Sequence, residues 1–160
     1  METFTPTHAE MYKIKNAKVE AAKLNKKFLL GYRLAYKSKA RTKPWKKIFS
    51  LWKAVAEAGH IRTQFYLGVC YDNGLGTRKN LSKAFIWFLK AAESGKMEAQ
   101  YNIGYFYREG GAVKTNYKKA MRWYTLAAKQ GDKEAQREVG QRYSLGEGIR
   151  KNQELTIYWY

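Results

Sequence analysis

Residues 97–131, MEAQYNIGYFYREGGAVKTNYKKAMRWYTLAAKQG, decide the fold. Ala99, Ile103, Gly104 and Tyr107 stand at i, i+4, i+5 and i+8, which is one stripe of a helix over Met97–Arg108. Glu109-Gly110-Gly111 interrupts it. Ala120, Trp123, Tyr124, Ala127 and Ala128 then stand at i, i+3, i+4, i+7 and i+8, so Tyr117–Gln130 reads as an amphipathic helix. Gly131 ends it, as a glycine just past a helix commonly does. Asn116 precedes it, where a short polar side chain can cap the free N–H groups.

The unit recurs. Gly59, Gly95 and Gly131 are 36 residues apart, and so are Gly68, Gly104 and Gly140. Tyr71, Tyr107 and Tyr143 keep the same step, as do Asn80, Asn116 and Asn152, and Trp87, Trp123 and Trp159. A fixed period of this length is the signature of stacked supersecondary units, and here the unit is a helical hairpin. A lone hairpin cannot bury its apolar face, so its neighbours must stack on it. Gly104 and Ala127-Ala128 are expected to let helices approach closely, with Trp123 and Tyr107 filling the space around them.

These residues resemble the Sel-one-like repeat family, relatives of tetratricopeptide repeats. The resemblance rests on Ala99 to Tyr107, on Lys119-Ala120-Met121-Arg122-Trp123-Tyr124 and on Ala127-Ala128-Lys129-Gln130-Gly131. A second copy reads Leu67-Gly68-Val69-Cys70-Tyr71, Asn73-Gly74-Leu75-Gly76, Lys83-Ala84-Phe85-Ile86-Trp87 and Ala91-Ala92-Glu93-Ser94-Gly95. Ala112 stands where a second loop glycine is usual, and Thr156 replaces an alanine. The expected fold is all-α, a right-handed α/α superhelical solenoid of three to four hairpins. Its expected parts are a basic capping helix or arm (1–24), a degenerate hairpin (25–59) and Sel-one-like repeats (60–160), the last incomplete. Leu30-Gly31 looks like a decayed copy of Leu67-Gly68, and Ile48, Leu51, Val55 and Ala56 supply the second helix of that hairpin.

Composition bounds the function. The 160 residues carry 31 Lys/Arg against 13 Asp/Glu, a net charge of +18. Residues 1–47 hold 13 of the basic residues and 3 of the acidic ones. Such a field attracts anionic partners. Cys70 is the only cysteine, so no internal disulfide can form, and its apolar setting marks it as a small buried hydrophobe. The first residues lack a charged start followed by an apolar run, which argues against a secretory signal and for a cytoplasmic protein; delivery by a route without a cleaved signal stays open. No acid, base, nucleophile or metal cluster has catalytic spacing. His8 lies near the terminus and His60 in a turn, and Gly74-Leu75-Gly76 and Gly146-Glu147-Gly148 recur with the repeat as turns. The reading is a binding protein, without enzymatic activity, cofactor or metal.

The resemblance implies an adaptor that holds another protein in a concave groove lined by the first helices. A bacterial member would neutralise a toxin, serve secretion or contact a host. By the glycine register, the groove positions are Arg62, Phe65, Val69 and Asp72; Glu98, Tyr101, Tyr105 and Arg108; Glu134, Arg137, Gln141 and Ser144; and Asn25, Phe28, Tyr32 and Tyr36. Packing between repeats is the competing role for Phe65 and Tyr101. The net charge favours an acidic partner and a monomer when unbound. Two alternatives use the basic arm: nucleic acid or an anionic membrane bound by Lys13, Lys15, Lys18, Lys23, Lys26, Lys27, Lys39, Arg41 and Lys43.

Overall fold

The computed structural model describes residues 7–39 and 41–160. Residues 1–6, the start of the expected arm, lie outside them, as do Ala40 and the side chain of His8. The described residues form eight α-helices: α1 (His8–Tyr32), α2 (Trp45–Glu57), α3 (Ile61–Asn73), α4 (Leu81–Glu93), α5 (Met97–Glu109), α6 (Tyr117–Lys129), α7 (Lys133–Leu145) and α8 (Gln153–Trp159). A π-helical turn, Arg33–Lys37, ends α1. Consecutive helices pack on one another, α1 on α2 through to α7 on α8, which makes a helical solenoid. No helix among the described residues is long and apolar enough to cross a membrane.

One contact repeats in every hairpin. A Cβ built on Gly68 would lie 2.7 Å from the Phe88 ring, and one on Gly104 would lie 2.7 Å from the Tyr124 ring. Gly31 faces the Trp52 indole in the same way, and Gly140 faces Tyr160 at 3.3 Å. The ring belongs to the second helix and takes the space that a side chain on the first would fill. This corrects the expectation for Trp123: the ring over Gly104 is Tyr124, one residue later and about 100° further round the helix. Trp123 is half-buried, against the core cluster that α3 and α4 share with Ala99, Ile103 and Phe106 of α5.

Hairpins are tied to each other by a side chain with the same period. Gln64, Gln100 and Gln136 each donate from Nε2 to the carbonyl of Ala56, Ala92 and Ala128, at 3.4, 3.2 and 3.1 Å. Those carbonyls lie in the last turn of a helix and also accept from the N–H groups of Gly59, Gly95 and Gly131 at 3.0 Å each, so the glutamine supplies a second donor from the next hairpin. At the other end, Asn80, Asn116 and Asn152 accept from Lys83, Lys119 and Leu155 N–H at 2.9 Å each. Their own N–H groups donate to Tyr71, Tyr107 and Tyr143 carbonyls, which clamps each second helix to its first.

The N-terminal third departs from the sequence expectation. α1 runs unbroken through residues 24 and 25, so the expected arm and the first helix of the degenerate hairpin are one helix. Every side chain from Ala9 to Lys23 is exposed; packing starts at Leu24 and Phe28. That stretch therefore covers no solenoid core, and its large apolar residues, Met11, Tyr12, Ile14 and Val19, all stay exposed. α2 packs on the C-terminal part of α1. Phe28, Ala35, Ile48, Trp52, Val55 and Cys70 form the core there, and Trp52 Nε1 donates to the Phe28 carbonyl at 3.3 Å. Burial pushes the Cys70 thiol up to about 12.

His60 caps α3. Its Nδ1 accepts from Thr63 N–H at 3.3 Å and lies 2.6 Å from the Thr63 hydroxyl. Burial, then the Arg62 charge, lowers its pKa. A cap that accepts must be neutral, so the fold favours the unprotonated ring.

Three outcomes follow from this packing. Gly104→Ala, which would stabilise an exposed helix by about 1 kcal/mol, instead costs about 1–3 kcal/mol by overpacking; urea unfolding reads this, and adding Tyr124→Leu recovers part of the loss. Cys70 resists alkylation at pH 8 in the native protein and reacts once unfolded. Because the folded pKa of His60 lies below its unfolded value, stability is fully present above about pH 6.5 and falls as pH drops through the folded pKa. The thermal midpoint therefore declines more between neutral pH and pH 5 in the wild type than in His60→Asn, which keeps a capping oxygen.

Candidate partner-binding groove

The first helices, α1, α3, α5 and α7, touch one another across repeat boundaries through their side chains. Between α1 and α3, Tyr32, Tyr36 and Tyr66 form a triangle, with ring centroids 5.0, 5.8 and 5.9 Å apart. The π-helical turn brings Tyr36 onto the side of Tyr32. Burial, then the neighbouring ring hydroxyls, holds the Tyr36 and Tyr66 phenols above their ordinary pKa. Arg62 lies over the Phe28 ring at 5.0 Å.

Between α3 and α5, Lys96 sits over the Phe65 ring at 5.6 Å and pairs with Glu98. Burial works to raise the Glu98 carboxyl; the Lys96 hydrogen bond and the Arg62 charge outweigh it and lower the pKa. Between α5 and α7, Arg108 bonds Glu138 at 2.5 Å and Glu109 at 2.7 Å, and stacks on Tyr105 at 5.1 Å. Glu138 in turn holds Arg142 at 2.8 Å, and Arg142 pairs with Glu147. Arg142 is 5% exposed and stands where Cys70 and Phe106 stand in the preceding units. A charge so buried is tolerable only because carboxylates flank it on both sides.

The candidate residues thus divide. Phe28, offered as a groove position, is fully buried and belongs to the core, since the π-turn and Trp52 close over it. Phe65 packs on Phe88 and Tyr101 on Tyr124, so each is half core and half surface. Tyr36, Arg62, Tyr105, Arg137 and Gln141 are exposed, and Tyr32, Asp72, Glu98 and Arg108 are half-exposed. Arg137 pairs with Glu134 on its own helix. Lys13, Lys15, Lys18, Lys23, Lys26 and Lys27 stand exposed all round α1, Lys23 paired with Glu20 at 2.7 Å. Lys39 and Arg41 are exposed, and Lys43 donates to the Ser38 carbonyl at 2.5 Å.

Tyr66, Lys96 and Glu138 were not among the sequence candidates. Tyr66, Asn102 and Glu138 share one register position. Their chemistry differs in every unit, which hid the position from a search for repeated residues. Among the described residues no group of His, Cys, Asp or Glu gathers as a metal site.

Comparison with known proteins agrees with this architecture. The Sel1 repeat model matches residues 61–96, 98–132 and 133–160. A Sel1 repeat protein from Oxalobacter formigenes superposes with a TM-score of 0.79 at 32% identity, over 86% of this chain and 56% of that one. The c5321 protective antigen of uropathogenic Escherichia coli, which has the SLR fold, gives 0.82 at 32% identity, over 91% of this chain and 31% of that one. Cysteine rich protein B of Helicobacter pylori shares the fold alone, with a TM-score of 0.59 at 24% identity over 76% of this chain and 92% of that one. No curated protein sequence matches the chain. The chain spans about half and about a third of the first two structures. With three repeats matched over more than half its length, and a helical solenoid built on their glycine register, the chain belongs to the Sel1 repeat family.

Proposed function

We propose that the chain is a protein-binding adaptor, working in the cytoplasm, whose partner lies along the face built by α1, α3, α5 and α7. One observation carries this reading. Contacts run unbroken across the first helices, yet leave Tyr36, Arg62, Tyr105 and Arg137 on the surface. Aromatic and arginine side chains held in place by neighbours are the types that dominate binding energy at interfaces. Their rotamer freedom is already reduced by the Tyr32–Tyr66 and Arg108 contacts, so less is lost on binding.

Charge contributes differently from aromatics on this face. Lys96, Arg108, Arg137 and Arg142 are each paired with a carboxylate. Along α3, α5 and α7 the groove is nearly balanced, and its recognition there rests on ring contact and hydrogen bonds. An acidic surface on the partner, expected from the net charge of +18, meets the lysines of α1 and accelerates encounter. Neutralising a toxin, serving secretion and contacting a host are the specific roles compatible with such an adaptor.

The test is capture of partners by the tagged protein from its native cell, with and without nuclease. Tyr36→Ala with Tyr105→Ala lowers capture of a stoichiometric, nuclease-resistant protein on the order of tenfold or more. Leu126→Ala, an equally exposed apolar residue on a second helix, leaves it unchanged. Equal capture by all three proteins would overturn the groove.

A further inference from the structure

Basic residues are segregated between the two ends of the hairpins. At one end lie the loops from first to second helix and the first turn that follows, residues 37–47, 74–83, 110–119 and 146–155. These segments hold fourteen Lys/Arg and two carboxylates, Glu147 and Glu154. At the opposite end, residues 58–64, 94–100 and 130–136 balance Arg62, Lys96 and Lys133 against Glu98, Asp132 and Glu134.

Packing joins the basic ends into one edge. The backbone at Gly76, with φ +72°, rests against the carbonyl of Trp45, the first residue of α2. Gly148 rests on Tyr117 of α6 in the same way, and a Cβ on Gly111 would lie 3.6 Å from Leu81 of α4. Each loop therefore abuts the start of the second helix in the hairpin before it. The 36-residue step then sets Arg78, Lys114 and Arg150 in one column and Lys47, Lys83 and Lys119 in another. All six are exposed, and none has an ion-pair partner among the described residues. Lys83 and Lys119 hold matching poses over the Tyr71 and Tyr107 rings, at 5.6 and 5.2 Å. At its α2 end the edge opens into a cavity of about 770 Å³ lined by Lys43, Lys46, Lys47, Arg78, Thr77 and Trp45.

We propose that this edge binds the phosphate backbone of a single-stranded nucleic acid. A line of periodic, uncompensated cations matches a linear polyanion, whose bound counterions are released on contact. Lysines act as point charges on phosphate without reading bases. Trp45 and Tyr117 occupy the same register position beside the lysines, and Tyr117 is exposed. Aromatics beside a cationic track favour unpaired bases, which can stack. An anionic membrane fits less well, because the edge lacks the continuous apolar face that insertion needs. The site shares no residue with the groove and stands independently of it.

Fluorescence polarisation with a labelled RNA or DNA single strand of ~20 nucleotides, in about 150 mM salt, tests the proposal. Arg78→Glu, Lys114→Glu and Lys119→Glu together weaken binding on the order of tenfold or more and lower the salt slope by about 2. A control carrying the same charge change elsewhere, Lys53→Glu, Lys90→Glu and Lys129→Glu, changes affinity less than about threefold. Circular dichroism verifies that both variants fold. The groove variant Tyr36→Ala with Tyr105→Ala binds the strand as the wild type does, so the two sites fail separately. Equal weakening by the edge and control sets overturns the proposal, as does no binding at this salt. Tighter binding of a duplex, or edge-dependent binding of phosphatidylserine vesicles without binding of the strand, overturns it too.

Discussion

A bare helical glycine beneath an aromatic ring sets the geometry of every hairpin. Glycine in a helix interior carries a propensity cost of about 1 kcal/mol. That cost is offset because Gly68 and Gly104 let the Phe88 and Tyr124 rings reach the backbone of the facing helix. Gly31 with Trp52 and Gly140 with Tyr160 show that the same lock closes both terminal hairpins, although their surrounding residues differ. Close approach fixes the distance between the two helices. The alanines at 91, 92, 127 and 128, all buried, then let the next hairpin settle against the pair.

Once the hairpins stack, the backbone hydrogen bonds at their ends must be satisfied. At the ends of α2, α4 and α6 the carbonyls of Ala56, Ala92 and Ala128 accept from Gly59, Gly95 and Gly131 N–H, and the glutamines at 64, 100 and 136 add a donor from the next helix. Asn80, Asn116 and Asn152 cap the starting N–H groups of α4, α6 and α8. Pro44 at the start of α2 provides no side-chain cap. These end positions tie each unit to the next at one fixed register. That register turns a periodic sequence into columns of side chains.

Charge is handled in two ways on the resulting surface. Between α5 and α7, cations are enclosed by carboxylates in the chain Glu109–Arg108–Glu138–Arg142–Glu147. On the loop edge they stand without acidic partners. The loop edge thus carries a large share of the net charge of +18, and α3, α5 and α7 together are close to neutral.

The 36-residue step, the helices at Met97–Arg108 and Tyr117–Gln130 to within a residue and the glycine positions were legible in sequence, because each is a local or periodic property. Other features depend on which side chains meet across elements. The π-helical turn that stacks Tyr36 on Tyr32, the burial of Phe28 beneath Trp52 and the choice of Tyr124 over Trp123 as the ring on Gly104 are set by packing, where a rotation of one residue changes the contact. Glu138 and Arg142 carry no repeat signal, and only the proximity of α5 and α7 in the stack brings Arg108 within reach of Glu138 and closes the network. Sequence by itself therefore determined a Sel1-type solenoid and its strong positive charge. Tertiary structure decided which residues stay exposed, which cations are paired, and that Arg78, Lys114, Arg150, Lys47, Lys83 and Lys119 line up along one edge, because those outcomes depend on distances between residues about 30–36 positions apart in the chain.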